Sequence, residues 1–244
     1  MKLKTTLLVS LLALSGAAFA QTAAPAAPTP DYTLSFNVGA VTEYRYRGIS
    51  QTRKKPALQG GIDFAHSSGF YLGTWASTIK WIKDGGGDSN VEIDVYGGYK
   101  TEVTAGVTLD VGVLTYNYPS NKLNPSANTQ ELYAALTYGP VTAKYSHSVS
   151  NLFGFADSKQ SGYFEIAGTF DLGEGFTLTP HVGHQKVKNL SAASYTDYSV
   201  TINKDYAGLT FGLTLVDTNT DAYVGANGKD LGKSGVVLSV KKTF

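Results

Sequence analysis

The sequence alternates between apolar and polar positions in twelve separate runs, and the first run shows the pattern most clearly. Between residues 32 and 47 the even positions are mostly apolar or aromatic, whereas the odd positions are mostly small or polar and end in charges. A repeat of two residues predicts a β-strand, because successive side chains point to opposite faces. The runs span residues 32–47, 56–65, 70–80, 91–102, 107–118, 129–138, 141–150, 162–172, 176–186, 195–204, 208–216 and 234–244.

The connections between these runs alternate in length. Short connections rich in turn residues lie at 66–69, 102–106, 139–140, 173–175 and 204–208. Long connections lie at 48–55, 81–90, 119–128, 151–161, 187–194 and 217–233. A soluble sandwich has no reason to gather its long loops at one end, whereas an outer-membrane barrel has short periplasmic turns and longer extracellular loops. We therefore predict an all-β protein, a transmembrane antiparallel β-barrel of about 12 strands in which the first strand pairs with the last.

The composition is compatible with this fold and excludes several others. No segment after the N-terminal region approaches 18 uninterrupted apolar residues, so a transmembrane helix is not expected. The mean hydropathy of −0.10 resembles that of a soluble protein, but alternating strands hide a membrane barrel in the same way. The chain contains no cysteine, so hydrogen bonds and packing must hold it together. A net charge of +1 gives no indication of a nucleic-acid partner.

The N-terminal residues have the features of an export signal. Lys2 and Lys4 precede a short apolar run at 7–14, and an Ala-Phe-Ala cleavage site ends at Ala20. The next segment is rich in alanine and proline and predicts an extended periplasmic tether. The expected organisation is a signal peptide at 1–20, a tether at 21–31 and an outer-membrane barrel at 32–244.

Aromatic residues mark the C-terminus and the ends of several runs. The last run ends in Phe244, which resembles the recognition signal of bacterial outer-membrane proteins and predicts the outer-membrane assembly machinery as a partner. Aromatic side chains near run ends predict interfacial girdles in contact with lipid, although the β-propensity of aromatic residues is an alternative explanation. These girdle residues are Tyr32, Tyr44, Tyr46, Tyr71, Trp81, Tyr99 and Tyr138.

Several segments also resemble a known family. EYRYRGISQT at 43–52, PALQGGIDFA at 56–65 and GFYLGTW at 69–75 are similar to the opening of the TorF-type porins of proteobacteria. The likeness continues at 92–99, 110–119 and 195–200. The resemblance implies a barrel in the outer membrane of a Gram-negative bacterium through which small solutes diffuse, without an established substrate or catalytic residues. Glu43 departs from the shorter Asp or Asn expected there, which puts the charge placement at the mouth in question.

The inward faces of the predicted strands carry charges of both signs. Such charges would line a wetted pore and set its selectivity for small polar solutes. Alternatively, they would form salt bridges that plug the barrel, because twelve strands lie between the filled eight-stranded barrels and the open porins. Arg45 and Arg47 lead into a loop with three further cations, which predicts a positive wall facing the carboxylates of Glu92 and Asp94. The predicted lumen residues are Glu43, Arg45, Arg47, Asp63, Glu92, Asp94, Lys100, Asp110, Glu131, Lys144 and Glu165.

An enzymatic function finds little support in the sequence. A barrel lipid hydrolase needs a serine, a histidine and an acid oriented together. The local Ser-His-Ser at 146–148 is the single hint, but the alternation turns His147 outward and both serines inward. We therefore predict that the protein is not an enzyme. A surface receptor or adhesin acting through its loops remains an alternative, and the sequence does not define the oligomeric state.

No metal or cofactor is predicted either. His181 and His184 lack a matching pattern of carboxylate or cysteine ligands. The Asp-Gly-Gly-Gly-Asp segment at 84–88 lacks the spaced ligands of a calcium loop and predicts a flexible extracellular tip.

Overall fold

The computed structural model describes residues 30–244, so the predicted signal peptide and residues 21–29 of the predicted tether lie outside the described residues. Twelve antiparallel strands close into a barrel, and the eighth continues after Thr169 as Phe170–Gly173. The strands are β1 Tyr32–Val41, β2 Ala57–His66, β3 Phe70–Thr78, β4 Val91–Thr104, β5 Val107–Asn117, β6 Thr129–Tyr138, β7 Val141–Ser148, β8 Gly162–Gly168, β9 Phe176–Lys186, β10 Tyr195–Tyr206, β11 Leu209–Thr218 and β12 Gly235–Thr243.

The barrel closes between its first and last strands. β1 pairs with β12 from Asn37 opposite Thr243 to Val41 opposite Ser239. Every other strand pairs with its two sequence neighbours, so the wall has no free edge. A free edge would leave backbone groups without partners in hydrocarbon, which is why membrane sheets must close. The predicted twelve-stranded barrel and its closure are confirmed.

Apolar side chains cover the outside of the wall. In β6, Leu132 and Leu136 are each 52% exposed. Glu131 on the same strand is 2% exposed and points inward. The same alternation exposes Leu34 on β1 and Leu213 on β11. The inward and outward faces predicted from the alternation are therefore the faces that these wall residues occupy.

The connections alternate in length as predicted. We call the two ends of the barrel the short-turn end and the long-loop end. At the long-loop end the loops contain one turn of α-helix, α1 Trp81–Asp84, and a 3-10 turn at Ser191–Ala193. Within residues 30–244, no helix is long and apolar enough to cross a membrane.

The first strand is shorter than predicted, because the chain leaves the wall after Val41. Residues 43–55, which we call the lumen hairpin, fold into the barrel and contain the paired strands Arg45–Tyr46 and Ile49–Ser50. Arg47 and Gly48 form its two-residue turn with φ angles of 45° and 78°. Two successive positive φ angles are the signature of a type I′ hairpin. The predicted strand 32–47 is wrong beyond Val41, since Arg45 and Tyr46 pair with Ile49–Ser50 in the hairpin and not with the wall.

Several predicted girdle residues lie elsewhere. Tyr44 is buried inside the barrel with 8% of its surface exposed, and Tyr46 follows in the same hairpin. Tyr71 points inward and its hydroxyl donates to Asp110. Trp81 begins α1 at the long-loop end. The girdle prediction is wrong for these four, while Tyr32, Tyr99 and Tyr138 are exposed on the outer face.

Candidate functional site: the charged lumen

Arg47 ties the tip of the lumen hairpin to the opposite wall. Its Nη1 and Nη2 donate to the two carboxylate oxygens of Glu131 on β6 at 3.0 and 2.7 Å. Nη1 also donates to Gln185 on β9 at 2.7 Å. The side chains of Arg47 and Glu131 are 7% and 2% exposed, so this is a buried, two-pronged ion pair. The hairpin therefore crosses the lumen and is held at its far side.

The charges of Arg47 and Glu131 depend on each other. Burial by itself lowers the pKa of Arg47, but the attraction of Glu131 more than offsets burial and leaves the pKa of the guanidinium above its usual range. The guanidinium carbon also lies 4.1 Å from the centre of the Tyr163 ring on β8. Removing either charge would leave the other buried without a partner.

Arg45 fixes the base of the hairpin. Its Nε lies 2.9 Å from a carboxylate oxygen of Glu43, and Nη1 donates to the carbonyls of Gly48 and Leu231, both at 2.8 Å. Leu231 belongs to the long loop before β12. Arg45 and Arg47 were predicted to form a free positive wall, but the structure places both in ion pairs.

Tyrosine hydroxyls connect the hairpin to the strand ends. Tyr44 donates to Glu92 on β4 at 2.6 Å, and the hydroxyls of Tyr46 and Tyr116 lie 2.6 Å apart. Burial, followed by the nearby charge of Glu92, holds the pKa of Tyr44 well above its usual range, so the hydroxyl remains a donor.

Gly48 has no side chain, which allows the hairpin to pack closely against the wall. A Cβ at this position would lie 2.5 Å from Thr218 and 2.8 Å from the Cβ of Asp197. Its φ of 78° also lies in the left-handed region, which glycine adopts without strain. A glycine satisfies both the turn and the close approach.

The hairpin separates two cavities. One, of about 560 Å³, lies in the lumen and is lined by charged and aromatic side chains, among them Asp94, Glu165 and His181. The other, of about 940 Å³, lies among the long loops. Tyr46 lines both cavities, which shows that the hairpin is the partition between them.

The predicted lumen residues fall into two groups. Six of them meet at the hairpin: Glu43, Arg45, Arg47, Glu92, Asp94 and Glu131. The other five are spread along the wall toward the short-turn end. There Asp63 accepts a hydrogen bond from Tyr96, and Asp110 accepts one from Tyr71 at 2.5 Å. Lys144 lies 4.0 Å from Glu165, and Lys100 is exposed opposite Asp110 in the strand register.

A cluster around His181 was missed by the sequence reasoning. Its Nε2 lies 3.1 Å from Glu165 and its Nδ1 lies 3.5 Å from Asp197. Tyr163 donates to Asp197 at 2.9 Å. The sequence around His181 shows no pattern of carboxylate neighbours, because its carboxylate partners come from neighbouring strands. Continuing the odd-numbered inward phase through β9 and β10 would have found His181, Gln185 and Asp197.

The Ser-His-Ser segment has the orientation that the alternation predicts. Ser146 and Ser148 are buried at 3% and 0% exposure, and His147 lies beside the outward ring of Tyr145. The glycine-rich loop after α1 is held by ion pairs, since Asp84 pairs with Arg53 and Asp88 lies 3.0 Å from Lys122. Among residues 30–244, no three His, Cys, Asp or Glu side chains group as a metal site.

The sequence matches a family model over residues 24–244, described as a bacterial protein of unknown function (Gcw_chp). The chain belongs to this family. The match does not carry the TorF name, so that finer resemblance remains a prediction. No curated protein matches this Gcw_chp chain.

Solved structures share the fold of the Gcw_chp chain at very low sequence identity. The KdgM porin, in complex with disordered oligogalacturonate, superimposes with a TM-score of 0.57 at 8% identity, covering 86% of this chain and 99% of that one. A structure from a study of in-meso crystallisation of membrane proteins gives 0.53 at 8% identity, covering 86% and 83%. An outer-membrane channel from Pseudomonas putida F1 gives 0.47 at 14% identity, covering 88% and 97%. The superposition on KdgM shows that the barrel has a porin fold.

Proposed function

We propose that this Gcw_chp protein is an outer-membrane porin through which small polar solutes diffuse along a charged lumen. In this proposal the short turns face the periplasm, the long loops face outside, and residues 1–20 and 21–31 serve as signal peptide and tether. The C-terminal Phe244 exchanges backbone hydrogen bonds with Phe36 at 2.8 and 3.2 Å, so it ends the closing strand pair. That position supports Phe244 as a signal for the assembly machinery.

The observation that carries the proposal is the lumen cavity of about 560 Å³, which is lined by charged and polar side chains inside a wall with an apolar outer face. An apolar outer face and a polar inner face are features of solute-conducting barrels. Residues of the hairpin line both the cavity of about 560 Å³ and the cavity of about 940 Å³, so the hairpin lies between them. A solute that passes the hairpin would meet charged side chains in the lumen cavity and a mostly apolar and aromatic lining in the loop cavity.

The hairpin also defines how selective the channel would be. Charges placed at a narrow point of low dielectric act strongly on passing ions. Because Arg45 and Arg47 are each paired with a glutamate, the constriction presents charges of both signs. This arrangement supports passage of small polar or zwitterionic solutes. The complex with oligogalacturonate is described for KdgM only. In the present chain Arg45 and Arg47 are both paired with glutamates, so neither arginine is a free cation for such a polyanion.

A second function, a closed barrel acting as a surface receptor or adhesin, is favoured by one observation. The buried Arg47–Glu131 pair spans the lumen, so the barrel resembles a plugged one at that level. A lipid hydrolase finds no comparable support, because both ring nitrogens of His181 face carboxylates and neither is free to activate a serine.

Conductance across a planar lipid bilayer tests the proposal. The refolded wild-type barrel should give discrete conductance steps in potassium chloride. Changing Arg45 and Arg47 together to Gln should shift the reversal potential toward cation selectivity, because Glu131 on the wall then lacks its cationic partner whether or not the hairpin stays in the lumen. A folded, heat-modifiable wild type that never conducts would reject the porin and leave the closed receptor barrel.

A further inference from the structure

Asp94 is a buried carboxylate in the lumen with an unsatisfied oxygen. The residue lies on β4, is 8% exposed and lines the cavity of about 560 Å³ below the lumen hairpin. Within the described part of the chain, no hydrogen-bond donor reaches its Oδ1. Buried polar atoms are nearly always paired, because leaving one unpaired costs free energy. An unpaired oxygen on a carboxylate whose residue lines a cavity therefore points to a group that arrives from outside the protein.

Aromatic side chains surround this carboxylate. In the strand register Asp94 stands between Trp75 on β3 and Tyr116 on β5. The hairpin adds Tyr44, whose ring centre lies 5.3 Å from that of Trp75, and Tyr46, whose hydroxyl contacts Tyr116. All four aromatic side chains line the same cavity as Asp94. Three strands and the hairpin thus bring a carboxylate and several π-faces to one place.

The charges nearby leave this region negative. Arg45 is paired with Glu43, and Arg47 is paired with Glu131. Glu92 accepts a hydrogen bond from the hydroxyl of Tyr44. Two arginines therefore face four carboxylates: Glu43, Glu92, Asp94 and Glu131. Asp94 and Glu92 lie two residues apart on the same inward face, so they repel each other in a site that excludes most water. A bound cation would relieve that repulsion.

We propose that Asp94 and the aromatic side chains around it form a binding site for a small organic cation, an alkylammonium or quaternary ammonium group. Such groups are attracted both to a carboxylate and to the faces of Trp and Tyr rings. A calcium or magnesium ion requires more oxygen ligands than this site offers. As a step in solute passage the site rests on the proposed porin function, but its occupancy can be measured without conduction.

Intrinsic fluorescence can report binding at this position. The chain has two tryptophans, so Trp81→Phe, a change outside the lumen cavity, leaves Trp75 as the only tryptophan fluorophore. This variant is refolded in detergent and titrated with tetramethylammonium chloride, with sodium chloride holding the ionic strength constant. tert-Butanol serves as an uncharged probe of similar size. We expect a saturable fluorescence change with tetramethylammonium and none with tert-butanol.

Asp94→Asn in the same background tests the carboxylate. The apparent dissociation constant should rise at least tenfold, whereas Asp171→Asn, an exposed residue at the short-turn end of the barrel, should leave it unchanged. Asp94→Glu keeps the charge and should bind within tenfold of the parent. Equal binding by Asp94→Asn, or an equal response to tert-butanol, would overturn the site. If Asp94→Asn does not fold, calorimetry of the wild type with the two probes decides whether a cation is required.

The two proposals fail in distinguishable ways. A barrel that conducts in bilayers but does not bind tetramethylammonium keeps the porin function and loses the Asp94 site. A barrel that binds tetramethylammonium through Asp94 but never conducts keeps the site and loses the porin function.

Discussion

On the outer wall Leu34 and Phe36 are 50% and 45% exposed, whereas Tyr44 in the lumen hairpin is 8% exposed. All three occupy the same even-numbered phase of one continuous alternation. The wall residues face outward because their strand is paired on both sides with other wall strands. Tyr44 lies beyond the point where the chain leaves the wall, so its ring packs inside the barrel against Trp75. The alternation therefore assigns faces only for as long as the strand remains in the sheet.

The two regions are also stabilised differently. The wall depends on many similar backbone hydrogen bonds and outward apolar side chains, so no single residue holds it. The hairpin depends on a few strong contacts, chiefly the buried Arg47–Glu131 pair. Because such contacts are few, one substitution should release the hairpin while the barrel stays closed.

The largest effect is expected for Glu131→Gln. Removing one partner of a buried ion pair costs about 3–5 kcal/mol, because the remaining charge is left unpaired. The hairpin should then leave the lumen, and its bonds after Arg45, Arg47 and Arg53 should become accessible to trypsin. Limited digestion with mass spectrometry measures this directly. The matched change Glu102→Gln, at the exposed short-turn end of β4, should leave the hairpin protected. Equal protection in both variants would show that the ion pair does not hold the hairpin.

A smaller effect is expected on the wall. Leu213→Lys places a charge on the outward face, where a lysine in lipid costs about 2–4 kcal/mol at mid-depth. Thr210→Lys on the inward face of the same strand should be tolerated. Leu34→Lys and Ile93→Lys should disrupt assembly as Leu213→Lys does. Ser35→Lys and Thr137→Lys should be tolerated as Thr210→Lys is. The heat-modifiable migration of refolded protein on a gel measures the outcome. Equal migration of the two sets would show that the assigned faces are wrong.

The smallest effect is expected for Lys144→Gln. Its ammonium lies 4.0 Å from Glu165, and the two side chains are 31% and 26% exposed, so solvent screens the pair. Such a pair contributes less than about 1 kcal/mol. Urea unfolding should show a small change, and trypsin should still find the hairpin protected. A loss of protection as large as that of Glu131→Gln would mean that the lumen charges act as one network.

The sequence by itself determined the class of fold, the number of strands and the face of nearly every wall residue. These features depend on local sequence. The two-residue repeat of a strand and the residues of a tight turn can be recognised without knowing which strands pair. The same rule placed charges such as Glu131 and Lys144 on the inward face, and applied further it would have placed His181 and Asp197 there as well.

Only the tertiary structure decided where the first strand ends and which charges pair. The turn at Arg47 and Gly48 has no proline and continues the alternation, so the sequence shows no break. Arg47 lies 84 residues from Glu131 and 138 from Gln185, and His181 lies 16 residues from each of Glu165 and Asp197. Residues so far apart in the sequence come into contact only when the barrel closes. Closure brings the hairpin against strands that are far apart in the sequence, and within residues 30–244 it leaves Oδ1 of Asp94 without a hydrogen-bond donor beside several aromatic rings.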